Sequence, residues 1–179
     1  MSELTERLGS YLVEVKDFPT PGIVFQDISP LLADPAAFAD AVEAMAVVHE
    51  GLGVERVIGI EARGFILAAP IALRLQAGFV PVRKPGKLPG ATHQTSYDLE
   101  YGQNVLQVHL DALVPGQRVL VVDDVLATGG TAAAVARLIA ACGAELVGFS
   151  VLLELGFLEG RAALAAACPG VPVHALLTV

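Results

Sequence analysis

The chain of 179 residues is 54% hydrophobic and 17% charged, with a formal net charge of −8. That length suits one domain with a sizeable core, and the acidic balance argues against general nucleic-acid binding. No uninterrupted apolar run reaches the ~20 residues that span a bilayer, so the apolar surplus is assigned to a buried sheet or a subunit interface.

The stretch Met1–Arg7 is acidic and lacks the apolar segment of a signal peptide. Leu4, Leu8, Leu12 and Val15 recur at helical spacing and predict an amphipathic helix over residues 3–15. Pro19 and Pro21 then stiffen an extended loop. Asp34-Pro35 is a strong helix start, cap followed by proline, for a helix reaching about residue 50. Arg56–Ile60 and Phe79–Arg83 read as strands. Between them a helix follows Gly64, with Pro70 expected near its beginning because proline is poorly tolerated further in. Val105–Leu110 alternates polar and apolar residues like a half-exposed strand. Val119–Val122 and Leu146–Leu153 read as buried parallel strands, joined by a helix from Thr131 to Cys142 that Gly143 stops. A last strand is expected near Val173–Leu177. This alternation predicts a single doubly wound α/β domain over 1–179, its sheet mainly parallel and flanked by helices. Cys142 and Cys168 are too few and isolated for a metal site or a disulfide framework, and read as reduced thiols of a cytoplasmic protein.

One segment carries most of the chemistry. Asp123 and Asp124 follow the apolar run Val119–Val122, and Ala127-Thr128-Gly129-Gly130-Thr131 then opens an Ala-rich helix. In an α/β sheet, ligands bind at the carboxyl ends of strands. The glycines let several backbone N–H groups converge on one anion, and the helix start adds donors and a positive dipole end. A carboxylate beside a phosphate is repulsive unless a metal or a hydroxyl-bearing group lies between them. A ribose 5-phosphate satisfies both halves. Gly-Gly alone would be an ordinary βα turn, but the double carboxylate and both threonines favour the cradle. No G-x-x-x-x-G-K-[ST] or G-x-G-x-x-G pattern competes. Arg83, Lys84 and Lys87 fall within five positions of an acidic chain, which suggests a specific small anion. A solvated basic loop is the other reading of that charge.

Val-Asp-Asp-Val-Leu-Ala-Thr-Gly-Gly-Thr resembles the phosphoribosyl-diphosphate (PRPP) loop of the type I phosphoribosyltransferases. Asp17–Phe25, Asp27–Leu32, Glu61-Ala62-Arg63-Gly64-Phe65, Val82–Gly90 and Ser96–Gly102 extend the match, in family order, to the adenine phosphoribosyltransferases. Phe18-Pro19-Thr20-Pro21-Gly22 and Ser96-Tyr97-Asp98-Leu99-Glu100-Tyr101-Gly102 are its most specific parts.

The resemblance implies the type I fold, with a small hood over about residues 1–34 and a flap over about 85–104. It implies transfer of the phosphoribosyl group of PRPP to N9 of adenine, giving AMP and pyrophosphate in purine salvage. Asp123, Asp124 and Ala127 through Thr131 would hold the ribose 5-phosphate, and Arg63, Arg83, Lys84 and Lys87 the pyrophosphate. Val24, Phe25, Gln26 and Val125 would bind adenine, with Phe25 and Val125 sandwiching the base. Many relatives carry arginine where this chain has Gln26, so the polar contacts there are assigned to backbone. Glu100 is the implied acid/base or cation-stabilising group, and Tyr101 would shape the closed flap; no motif supports His93 as a base. Mg2+ would be held by substrate and water, with no direct protein ligand. A cytoplasmic homodimer is implied, the basic arm reaching the partner's site. Two alternatives stay open: a transferase for another purine base, or a PRPP-sensing regulator of the same fold.

Overall fold

The computed structural model of the chain describes residues 3–98 and 103–179. The N-terminal elements are α1 (Glu3–Gly9), β1 (Val13–Lys16), β2 (Val24–Asp27), α2 (Ser29–Ala33) and α3 (Pro35–Val47). Then come β3 (Arg56–Ile60), α4 (Gly64–Arg74), β4 (Gly78–Val82), and the strands β5 (Thr92–Asp98) and β6 (Gln103–His109). The C-terminal half holds β7 (Arg118–Leu126), α5 (Gly130–Ala141), β8 (Glu145–Glu154), α6 (Gly160–Ala167) and β9 (Val173–Thr178).

Five strands form a parallel sheet in the order β4-β3-β7-β8-β9. Successive strand residues point to opposite faces, and both faces are buried. Val119 and Val121 of β7 join Ile58, Val135, Ile139 and Leu164 on the face covered by α5 and α6. Leu120 and Val122 join Val57, Met45, Leu67 and Ile71 on the face covered by α3 and α4. This accounts for the continuous apolar runs of β7 and β8. Two antiparallel pairs, β1-β2 and β5-β6, lie outside that sheet.

Three expectations change. The helix foreseen over 3–15 stops at Gly9, because residues 13–16 pair in register with 24–27, from Val13 opposite Asp27 to Lys16 opposite Val24. Pro70 lies well inside α4, where its missing N–H leaves the Ile66 carbonyl without its intrahelical donor. Strand β7 continues through Asp123 and Asp124 to Leu126 because β8 stays paired with it as far as Glu154. The start of α3 is as expected: the Asp34 carboxylate accepts from the N–H of Ala36 (3.0 Å) and of Ala37 (2.8 Å). Among the described residues no helix is long and apolar enough to cross a membrane.

Beyond α3, His49 is buried with its ring edge-on to His174 of β9, centroids 6.1 Å apart. Neither His49 nitrogen has a hydrogen-bond partner among the described residues. Burial, and then the proximity of His174, lower the His49 pKa from 6.5 to about 4. The unfolded chain therefore binds a proton below pH 6.5 that the folded chain refuses down to about pH 4. Stability is expected to fall across that window as pH drops, by up to about 1.4 kcal/mol per pH unit for this group. His49→Phe keeps a flat ring there and removes the proton uptake. Urea unfolding at about pH 7 and about pH 5 should show a smaller loss in the variant; an equal loss would exonerate His49.

Candidate active site

At the end of β7 the chain turns through Ala127, Thr128 and Gly129 into α5. Gly129 has φ +82°, and an added Cβ would lie 2.6 Å from the Gly160 carbonyl oxygen. Gly160, first residue of α6, is tighter still: its Cβ would stand 2.0 Å from the Ala127 carbonyl oxygen. The loop is clamped between two helix starts. Gly130, Thr131 and Ala132 open α5, where N–H groups have no intrahelical acceptor, while the Ala133 N–H already donates to the Gly129 carbonyl at 2.9 Å. Ala127 through Ala132 line a recess of about 70 Å³ over an apolar floor that includes Phe149 and Leu164. Its size and donors suit a phosphate group.

Beside the recess lies a cleft of about 470 Å³ whose lining includes Arg63, Lys84, Tyr97, Asn104, Asp124 and Thr131. Asp123 and Val125 line both spaces. Asp124 is buried, with Oδ2 2.6 Å from Arg63 Nε, while Asp123 Oδ1 accepts from the Asp124 N–H at 2.9 Å. Burial first, and the adjacent Asp124 second, push Asp123 well above the usual carboxylate range. The start of α4 is pressed against this pair: a Cβ on Gly64 would meet Asp123 Oδ1 at 2.7 Å.

Arg63 also stacks its guanidinium over the Phe25 ring, 4.9 Å from the centroid, and Phe25 meets Phe18 edge-on at 5.1 Å. One arginine thus joins the β7 carboxylates to the β1-β2 pair. Val24, Phe25 and Gln26 lie on β2, and the Gln26 amide donates to Glu14 on β1 at 3.3 Å, away from any role as a lone polar hook.

Of the basic cluster, Lys84 lines the cleft of its own chain. Arg83 and Lys87 are gathered by Glu61, a residue to which the sequence alone gave no role. The Glu61 side chain is only 6% exposed and accepts from Lys87 Nζ, from the Lys84 N–H at 2.9 Å and from Arg83 at 3.4 Å. Burial would raise this carboxyl, but the Lys87, Lys84 and Arg83 hydrogen bonds together hold it down at about 2. Arg83 further exchanges backbone hydrogen bonds with Gln107 of β6, at 2.9 and 2.7 Å. Among the described residues no group of three or more His, Cys, Asp or Glu could hold a metal ion.

A phosphate-sized recess, a carboxylate pair, Arg63 and Lys84 thus meet at one cleft. Residues 28–162 match the phosphoribosyl transferase domain family. An adenine phosphoribosyltransferase of Streptomyces coelicolor is 58% identical over 176 residues, covering 98% of this chain and 97% of the relative. The chain belongs to the adenine phosphoribosyltransferase family. The adenine phosphoribosyltransferase structure from Rhodothermus marinus superposes with a TM-score of 0.93 at 48% identity, covering 98% of each chain. That from Saccharomyces cerevisiae, complexed with D-2,5-dideoxy-2,5-imino-altritol 1,6-bisphosphate and adenine, gives 0.91 at 35%, covering 99% of this chain and all of that one. The fold is that of the type I phosphoribosyltransferases.

The family loop could be read from the sequence, but its supports could not. Glu61, Tyr97, Asn104 and Gly160 reach the site by tertiary contact, which no local pattern marks. Glu100, the expected acid/base or cation-stabilising group, and Tyr101, expected to shape the closed flap, lie outside the described residues. Gly160→Ala is expected to force the Ala127 carbonyl aside, destabilising the chain by about 1–3 kcal/mol and weakening ribose 5-phosphate binding. Gly9→Ala, which meets nothing within 4 Å, serves as the control. Wild-type denaturation and calorimetry for Gly160→Ala would show that the clamp does not shape the recess.

Proposed function

We propose that this chain transfers the 5-phosphoribosyl group of PRPP to N9 of adenine, releasing pyrophosphate and AMP in purine salvage. The observation that carries this reading is the opening of the Ala127–Thr131 recess and the Asp123-Asp124 pair onto one cleft with Arg63 and Lys84. The family supports it: the relative from Trypanosoma brucei, 27% identical with a TM-score of 0.90, covering 99% of this chain and 80% of that one, was solved with AMP, pyrophosphate and ribose-5-phosphate.

In this reading Ala127, Thr128, Gly129, Gly130 and Thr131 hold the 5-phosphate, chiefly through backbone N–H groups. Asp123 and Asp124 face the ribose hydroxyls, and once Arg63 turns to the pyrophosphate the Asp124 carboxylate favours the positive charge that develops as the C1–O bond breaks. Pyrophosphate leaves with the bonding pair toward Arg63 and Lys84, while Arg83 and Lys87 add charge from the Glu61 clasp. N9 of adenine forms the new bond, and the proton it sheds passes to Glu100, with Tyr101 shaping the cover. Phe25 and Val125 sandwich the base, and backbone near Val24 and Gln26 reads its 6-amino edge. The bonding of the Gln26 side chain to Glu14 supports that backbone role.

The donor set fits Mg2+ held through substrate. Asp124 is committed to Arg63, and Asp123 is shifted toward its neutral form. Pyrophosphate oxygens, ribose hydroxyls and water would supply most of its shell beside Asp123 and Asp124, and the cation would offset the leaving group's charge. We further propose a cytoplasmic homodimer. Ile66 and Leu73, seven apart on α4, and Phe79 of edge strand β4 are exposed apolar side chains that such an interface would cover. Sedimentation at a single-chain mass would remove the dimer.

Parallel assays with adenine, guanine, hypoxanthine and xanthine test the function. Hypoxanthine reverses the donor and acceptor of the adenine edge, and unpaired buried polar groups give discrimination of about 10⁴-fold or more. Comparable use of hypoxanthine would overturn the assignment. Glu100→Ala is expected to lower turnover about 10²-fold with PRPP and adenine affinities little changed; a loss confined to the Michaelis constant for adenine would make Glu100 a binding residue.

A further inference from the structure

The Tyr97 hydroxyl has no task in the reaction as drawn, yet it stands at a junction. Tyr97 lies on β5, half-buried, its ring packed against the apolar layer under α5. Its hydroxyl oxygen is 3.2 Å from Thr131 Oγ1 and 3.4 Å from Asn104 Nδ2. Thr131 belongs to the phosphate recess, and Asn104 is the residue opposite Tyr97 on β6. The same hairpin is tied to α5 by Arg137, whose guanidinium donates to the Ser96 carbonyl at 3.1 Å and reaches Thr95 Oγ1 at 3.5 Å. At its far edge it is bridged to Arg83 through Gln107. Both ends of the phosphoribosyl site therefore touch one hairpin.

The hydrogen-bond inventory gives this junction a direction. Asn104 Nδ2 can only donate, whereas the Tyr97 and Thr131 hydroxyls can each donate one proton and accept. An anion in the recess accepts from the Thr131 hydroxyl. Thr131 is then open to accept from Tyr97, and Tyr97 from Asn104. All three donors point the same way, toward the negative charge, and such a chain strengthens cooperatively. Without the anion either orientation of the two hydroxyls is permitted.

We propose that Tyr97 is a positioning residue that couples occupancy of the phosphate recess to the hairpin, through the chain Asn104 to Tyr97 to Thr131 to phosphate. The inference rests on the assignment of Ala127–Thr131 as the 5-phosphate site. It predicts that ribose 5-phosphate, which lacks both base and pyrophosphate, is enough to stiffen the hairpin.

Tyr97→Phe keeps the packed ring and deletes the hydroxyl. Ribose 5-phosphate should slow amide exchange over residues 92–98 and 103–109 in the wild type and not in the variant. The variant's Michaelis constant for PRPP should rise about three- to tenfold, the scale of one neutral hydrogen bond, with turnover less affected. A purely structural tyrosine would shift exchange equally with and without ligand. Asn104→Ala leaves the ring untouched and should lower the ligand-induced protection partially, which keeps the test decisive if Tyr97→Phe folds poorly. Equal protection in wild type and both variants would overturn the coupling. If ribose 5-phosphate fails to bind the wild type by calorimetry, the phosphate assignment itself fails, and the coupling with it.

Discussion

The rest of the site depends on two adjacent carboxylates held at the end of a buried strand. A charge taken out of water needs a partner or must be neutralised. Asp124 has Arg63 at 2.6 Å, and Asp123 is pushed toward its neutral form. Arg63 is in turn steered by the start of α4, whose Gly64 lets the backbone press against Asp123, and by the Phe25 ring under its guanidinium. Removing Arg63 leaves the buried Asp124 charge without its counterpart. Through Arg63 the ion pair also touches the β1-β2 pair, at the Phe25 ring.

The basic side of the cleft follows similar logic. Arg83 and Lys87 are bound to one buried carboxylate, Glu61, while Lys84 lines the open space. Cations that would repel one another in a short segment are held together by an anion beneath them. In the proposed reaction, a pyrophosphate arriving there would meet positive groups already positioned, which lowers the ordering cost of binding. In a chain with net charge −8 this local excess of positive charge has to be built by structure, because composition opposes it.

The glycines show where local and tertiary readings part. Gly129 announces itself through a Gly-Gly pair at a helix start, and its positive φ satisfies that expectation. Gly160 sits 31 positions after Gly129 and looks like an ordinary glycine until α6 is seen with its first residue against the Ala127 carbonyl. The N-terminal segment errs the other way. Leu4, Leu8, Leu12 and Val15 satisfy helical spacing, but residues 13–16 find strand partners eight to fourteen positions downstream, and the ladder overrides the periodicity.

The amino-acid sequence by itself determined the parallel sheet with the helices α3, α4 and α5 between its strands, and marked the Asp123–Thr131 loop as the place to look for an anion site. Those features are written in short-range patterns: apolar runs, caps, and glycines next to a helix start. Only the tertiary structure decided that Glu61 clasps the basic segment, that Arg63 joins Asp124 to Phe25, and that Tyr97 meets Thr131. Each of these contacts links residues tens of positions apart. A carboxylate, arginine or tyrosine carries no local mark of the partner it will meet, because that choice is made when the sheet and helices pack.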